Sequence, residues 1–526
     1  MKSHLVLLKF IKYSLSSIAA VIIATINGFA QSPNTDPVTY ASFIPSPEFK
    51  VMVDGRDILV YSSPIPLAFC SFEMSKPVEI VVRSLRRDIK WSDIRPISSG
   101  IRPVIKSDST IAFHITKPGQ FSIELNGIFK IPLFIFANSP ETDKPERTDK
   151  NVLYFESGKI HYPGTIILRD NQQVYIESGA IVAGCIKARN ANHIKIRGGG
   201  ILDGSYSKRF MDSCATVYNK GLARESIPGG INGLISLSEC RDISIEGITL
   251  FNSKTWDVVP SLCDIASISN IKIISDNNSD DGIDIVSTRN ICVMNSFIRT
   301  KDDCIAIKSF AKPQLPRGRE NPEQIFGQFA NGPFYPVDSV VVNNCVFWNA
   351  SWGNALEIGF ELSGDISNVS FTNNDIIRVE GGAAISIHNA RRGVVSKILV
   401  DGLRVENADQ KLFDLAIFRS IYSEDGTSDS REIRQLYLNG VWDNVLAVSE
   451  KEKDMHSKFR GHINGVTLKN VSIVDGPVPF SVFYGSDKTH LVENVTIEGL
   501  SFYGKNIKDI FTAKLYLENT KNIIIR

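Results

Sequence analysis

Two pairs of aspartates set the chemical question. The segments Asp280-Asp281-Gly282-Ile283-Asp284-Ile285 and Asp302-Asp303-Cys304-Ile305-Ala306-Ile307 overlay with an offset of 22 residues. If the chain coils with that period, the carboxylates stack about 5 Å apart along the coil axis. Acids crowded in this way repel one another and lose water, and no packing requirement explains that. A single Asp at a corner is ordinary turn chemistry, but a doubled pair in register is not. Crowding drives carboxylate pKa values apart. Glycoside hydrolysis needs that separation, with a protonated acid for the leaving oxygen and an ionised base for a water. The same oxygens would also suit a calcium ion.

The overlay continues through Gly353-Asn354-Ala355-Leu356-Glu357-Ile358 and Ala383-Ala384-Ile385-Ser386-Ile387-His388. Ile283/Ile285, Ile305/Ile307, Leu356/Ile358 and Ile385/Ile387 then form an inward column. Asp284, Ala306, Glu357 and Ser386 point outward, followed by Lys308 and His388. Strict alternation would bury Asp281 and Asp303, so a turn before each strand must aim them outward.

The substrate-binding candidates are Asp280, Asp284, Lys308, Trp352, Asn354, Glu357, Glu361 and His388. Lys308 suits a hydroxyl or a carboxylate; against this, an isolated surface Lys needs no explanation. Trp256 and Trp352 suit sugar faces, although a Trp at a corner is as readily a packing residue. Lone His residues are usually structural, and His388 enters through its column position. Arg391 and Arg392 read as solvating a turn. Cys292, Cys304 and Cys345 read as small apolar packing, since no CxxC occurs. No metal ligand and no cofactor is expected.

The elements that must position these residues repeat from about 151 onward. A short strand, an Asn or Gly, a second strand and a loop recur, with Gly247, Asn295, Asn344, Asn373, Gly402, Asn470 and Gly499 at one offset. A residue that recurs at a sharp bend implies a coil of parallel strands whose stacked amides bond along the axis. The fold class is all-β: a right-handed parallel β-helix of roughly 20 to 30 residues per rung over 151–526. Residues 31–140 alternate apolar and polar over short runs and read as a small β-sandwich. The polar, Pro-containing stretch 138–150 reads as a linker. Two insertions, Phe310 to Asp338 and 408–460, leave the coil near the acids. Loops of that length are usually functional, and walling one end of a cleft would favour exo action or short substrates.

A chain of 526 residues exceeds one compact domain. With 43% hydrophobic and 22% charged residues, its composition is that of a globular protein. Lys plus Arg number 58 against 57 Asp plus Glu, which argues against nucleic-acid and electrostatic membrane partners. No interior run is apolar enough to span a membrane. Lys2, Lys9 and Lys12 precede the apolar run Ile18 to Ile26, and Gly28-Phe29-Ala30 offers a cleavage site. Residues 1–30 therefore read as a cleaved signal peptide, which implies a periplasmic or extracellular protein. The expected partner of the monomer is a polysaccharide or oligosaccharide.

The segments Ser279-Asp280-Asp281-Gly282-Ile283-Asp284, Thr300 to Ser309 and Ile358 to Gly364 resemble the polygalacturonase family of glycoside hydrolases. Asn252 to Trp256 and Gly198 to Gly204 match that family's helical core, and the similarity covers roughly 150–410. The sandwich-plus-helix layout also resembles the dextranase and isopullulanase family. The resemblance implies that Asp302 is the general acid, that Asp281 and Asp303 hold the water, that the product is inverted and that no metal takes part. It also supports Glu361 as a hydroxyl binder. Asn354 stands where that family has a His that assists the acid. Ala384-Ile385-Ser386 lies near the place of its uronate-gripping Arg-Ile-Lys. Two other readings remain open: a polysaccharide lyase, which would leave a double bond in its product, and a non-catalytic carbohydrate-binding β-helix.

Overall fold

The computed structural model describes residues 44–62, 65–205, 233–309, 334–420, 422–426, 448 and 453–526. The expected signal peptide, most of the first insertion and part of the second lie outside the described residues. Among the described residues, no helix is long and apolar enough to cross a membrane.

Alternation builds the sandwich. In Phe49–Val53 the residues Phe49, Val51 and Val53 are buried and Lys50 is exposed; in Val78–Ser84 the residues Val78, Ile80 and Val82 are buried and Arg83 is exposed. One sheet orders Tyr61–Ser62, Ala68–Glu73, Ile128–Asn138, Gly119–Leu125 and Ser92–Arg95. The other orders Arg56–Ile58, Phe49–Val53, Val78–Ser84, Thr110–Ile115 and Val104–Ser107. The inner rows of both sheets share one core that includes Val51, Ile80, Phe113, Ile123 and Ile135.

From Val152 the chain winds into a parallel β-helix with three strand faces. The first face runs from Val152–Phe155 to Thr520–Ile525 in a 12-stranded sheet. The second holds Thr249–Phe251, Lys272–Ile274, Phe297–Thr300 and Val346–Asn349. The third holds Val258–Ser261, Ile283–Val286, Ile305–Ser309, Leu356–Leu362, Ala383–Asn389 and Lys411–Ile417. On the third face Ile283, Ile305, Leu356, Ile385 and Phe413 stack in register, as do Asp284, Ala306, Glu357, Ser386 and Asp414. The first column is buried in the shared core of the coil.

The recurring bend residue has left-handed backbone each time: φ is 53° at Asn295, 53° at Asn344, 51° at Asn373 and 81° at Gly247. Asn and Gly are the residues that adopt this region at least cost. The amides also bond along the axis. Asn344 Nδ2 donates to Asn295 Oδ1 at 2.7 Å, and Asn373 Nδ2 donates to Asn344 Oδ1 at 3.3 Å.

One sequence expectation needs revision. Strand Lys411–Ile417 belongs to the third face, so the second insertion begins after it rather than at 408. The stretch 138–150 carries no strand after Asn138 and is held by side-chain contacts. Asp143 accepts from Arg197 at 3.1 Å, Arg147 reaches Glu156 at 3.1 Å, and Glu141 accepts the Tyr175 hydroxyl at 2.5 Å.

Pro45–Arg526 forms one compact unit, because the sandwich docks on the second face. Phe134 and Phe136 lie 4.8 and 5.4 Å from the Phe297 ring, and Phe69 lies 6.0 Å from Phe251. Phe134 also meets Trp348 edge-on at 5.7 Å. Beside these rings, buried Arg95 binds Glu406 at 2.6 Å and Glu124 at 3.3 Å. Lys272, 1% exposed, donates to Asn138 Oδ1 at 2.5 Å, and burial pushes its pKa down to about 7. The third face, where the acids stand, is left to other contacts.

Candidate active site

The acids occupy the corner between the second and third faces. After Lys272–Ile274 the chain turns at 277–279 before entering Ile283–Val286; after Phe297–Thr300 it bends at Lys301-Asp302 before entering Ile305–Ser309. Asp281 and Asp303 therefore precede their strands, which frees them from strand alternation as expected. Lys308 Nζ lies 2.8 Å from Asp281 Oδ2 and 2.6 Å from Asp284 Oδ1, so Asp281 shares the outward side with Asp284.

One rung separates Asp280 from Asp302, and the contact between them is to the backbone. Asp280 Oδ1 accepts the N–H groups of Lys301 at 2.9 Å and Asp302 at 3.1 Å; Oδ2 accepts that of Asn277 at 2.7 Å. Asp280 is fully buried. It fastens the turn that presents Asp302 and does not face a substrate, which corrects its expected binding role. Burial raises its pKa to about 7.

The Asp302 turn is held from behind. The Asp302 carbonyl accepts from Thr300 Oγ1 at 2.7 Å and Asn349 Nδ2 at 2.9 Å. Asp302 as a residue is half-buried. Burial first, then the charges of Asp281 and Asp303, hold its pKa well above the carboxylate range. The sequence pointed to crowding together with loss of water, and loss of water is the larger cause. Asp303, 6% exposed, is pushed up to about 8 by burial and by the charge of Glu357. Its Oδ1 accepts from Asn354 twice, from N–H at 2.7 Å and from Nδ2 at 2.9 Å. Asn354 Oδ1 accepts the Ala383 N–H at 2.8 Å. Asn354 thus braces Asp303 rather than assisting Asp302 or meeting substrate.

Gly353 is required here by close approach. A Cβ at 353 would sit 2.2 Å from the carbonyl carbon of Asp302 and 2.3 Å from the nitrogen of Asp303. Gly353→Ala is expected to cost about 1–3 kcal/mol by overpacking. It should also lower turnover at temperatures where the protein stays folded, because the backbone it displaces carries both acids. Melting curves and initial rates measured together check this.

Lys308, 5% exposed, lies beneath the Trp256 ring with Nζ 3.9 Å from the centroid. Trp256 packs on Val259 and Val286, so it is a cover for Lys308 at the corner. Burial opposes the Lys308 charge, but Asp281, Asp284, Glu361 and Asp303 outweigh it and raise its pKa. Burial and the charge of Asp281 raise that of Asp284. Further along, His388 Nδ1 lies 3.1 Å from Glu357 Oε1 and Nε2 lies 3.1 Å from Asp414 Oδ2. Burial alone would lower the His388 pKa; the two carboxylates outweigh it and push it up to about 10. Ser386 Oγ also donates to Glu357. Asp284 and Glu357 are fully buried, and so support the site from behind instead of meeting substrate. Glu361 is 7% exposed, and Trp352 is 49% exposed beside the Asp302 turn, where its N–H donates to Lys301 O at 3.1 Å.

Sequence reasoning missed two residues and misread a third. Asp414 was hidden by assigning 408–460 to an insertion; its place in the outward column was the available signal. Asp257 stands just before Val258, which pairs with Ile283, and its N–H donates to the Asp281 carbonyl at 2.7 Å. Burial raises its pKa as well. Arg391 is buried and donates to Ser363 Oγ and to the Tyr422 carbonyl, each at 2.9 Å, so it ties segments together rather than solvating a turn. Arg392 donates to Glu424 at 2.7 Å.

These rungs are shared with known proteins. The model of the family "Glycosyl hydrolases family 28" matches residues 148–409. Polygalacturonase QRT2 of Arabidopsis thaliana is 30% identical over 122 residues, covering 23% of this chain and 26% of that protein. The endo-polygalacturonase of Pectobacterium carotovorum subsp. carotovorum is 23% identical over 329 residues, covering 60% of this chain and 68% of that protein. The matches to QRT2 and to the Juniperus ashei and Vitis vinifera polygalacturonases span 26%, 22% and 32% of their lengths. Among solved structures, Dex49A from Penicillium minioluteum superposes with a TM-score of 0.65 at 15% identity, covering 94% of this chain and 96% of that one, a likeness of fold. Since the family match spans every rung from Asp280 to Glu361, residues 148–409 of this chain are those of glycosyl hydrolases family 28.

Proposed function

We propose that this protein hydrolyses an O-glycosyl bond of a polysaccharide or oligosaccharide by single displacement, with inversion at the anomeric carbon. The observation that carries the reading is the partly exposed Asp302, its pKa held well above the carboxylate range beside buried Asp281 and Asp303 on one corner of the coil. Asp302 delivers its proton to the leaving oxygen. Asp281, ion-paired to Lys308, and Asp303, braced by Asn354, hold the attacking water on the other side of the sugar. Asp281 has the Lys308 cation at 2.8 Å, so base work falls first to it. This refines the equal sharing implied by the resemblance. The proposed reaction uses no metal or cofactor. Export through the N-terminal signal and action as a monomer outside the cytoplasm complete the proposal.

The test is a screen of defined plant and microbial glycans with nuclear magnetic resonance of the first-formed reducing end. An inverted anomer is expected. Retention of configuration, or an unsaturated product absorbing in the ultraviolet, overturns the mechanism.

A further inference from the structure

Charge at the acid corner is one-sided among the described residues. Seven carboxylates stand at it or directly behind it: Asp281, Asp284, Asp302, Asp303, Glu357, Glu361 and Asp414, and all but Asp302 are at most 7% exposed. The cations among them are each matched. Lys308 is held by Asp281 and Asp284 at 2.8 and 2.6 Å and covered by Trp256. His388 lies between Glu357 and Asp414 at 3.1 Å on both sides. Lys411 reaches the same Asp414 at 2.5 Å. Among the described residues of this corner, an incoming carboxylate would have to take one of these cations from its buried partner, which leaves that partner uncompensated. A sugar that presents hydroxyls makes no such demand. Partly exposed Asp302 and the exposed Trp352 ring then offer a hydrogen-bonding group and an apolar face.

From this arrangement we infer that the sugar bound at the acid corner is uncharged, so the substrate is a neutral glycan or a uronan whose carboxyl groups are esterified. The inference rests on the glycoside hydrolase reading of the corner.

Binding by the Asp302→Asn protein tests it without turnover, since an amide resembles the protonated acid. The probes are tetragalacturonate, the same tetrasaccharide fully methyl-esterified, and neutral tetrasaccharides of glucose, galactose, mannose and rhamnose, titrated by calorimetry at low and high salt. An uncharged probe is expected to bind at least about tenfold more tightly than the free acid. The free acid alone should gain affinity as salt screens the carboxylates. Free acid binding as tightly as every uncharged probe, or no binding by any uncharged probe, overturns the inference. The hydrolytic reading fails separately, if wild-type protein cleaves no glycan or its products are not inverted.

Discussion

Asp302→Asn is expected to lower turnover by about two to four powers of ten, the usual worth of a positioned general acid. Folding should be intact. The Asp302 Oδ1 accepts the Asp303 N–H at 3.1 Å, and an Asn oxygen can do the same. The turn itself is held through backbone atoms by Asp280, Thr300 and Asn349, none of which the substitution touches. Asp281→Asn and Asp303→Asn should produce losses of similar size, and Asp284→Asn a smaller one, since Asp284 is fully buried. Initial rates on the substrate found by screening, compared with melting curves of the same variants, decide the matter. Wild-type turnover in the Asp302→Asn protein would remove it from the acid role.

Lys308→Met is expected to be the most destabilising single change at the site, costing about 3–5 kcal/mol, because it removes one partner of a buried ion pair and keeps the others. Lys308 contacts Asp281 and Asp284 directly, and the second carboxylate oxygen of Asp284 has no hydrogen-bond partner among the described residues. The cation also lies against Trp256, which adds a contribution that the thioether chain does not replace. Chemical denaturation measures the loss. Adding Asp284→Asn to the Met variant should restore part of the stability, by removing one of the orphaned carboxylates. No change in the denaturation midpoint of the single variant would show that Lys308 does not compensate these acids.

Much of this site was legible in the sequence because a coil turns spacing into position. The 22-residue offset between Asp280 and Asp302 is one rung, and the apolar column read from Ile283, Ile305, Leu356 and Ile385 is the observed register. The bend residues were legible for a similar reason: few residues adopt positive φ at low cost, and the ones that do recur at the bend. Side-chain direction at the corner was not legible. Whether Asp280 faces a substrate or the amides of the next rung depends on the turn at 277–279, and the one-letter pattern carries no dihedral angle. The same holds for Asn354, whose amide had two neighbouring aspartates to choose between. Asp414 was missed because both sides of Lys411–Ile417 are buried, so the strand lacks the alternation that marks half-exposed ones.

The docked sandwich bears on any attempt to make a smaller enzyme. Phe251, Phe297 and Trp348 are dry because Phe69, Phe134 and Phe136 cover them, and the Glu406 carboxylate has its cation from Arg95. A truncated protein beginning at the first rung would present a stripe of bare aromatic rings along one side and a buried acid without its counter-ion. Such a stripe invites self-association, since large exposed apolar patches mark interaction or aggregation surfaces. The N-terminal sheets thus act as a solubility shield for the coil, and shortening this enzyme would mean redesigning the uncovered stripe as well as deleting sequence.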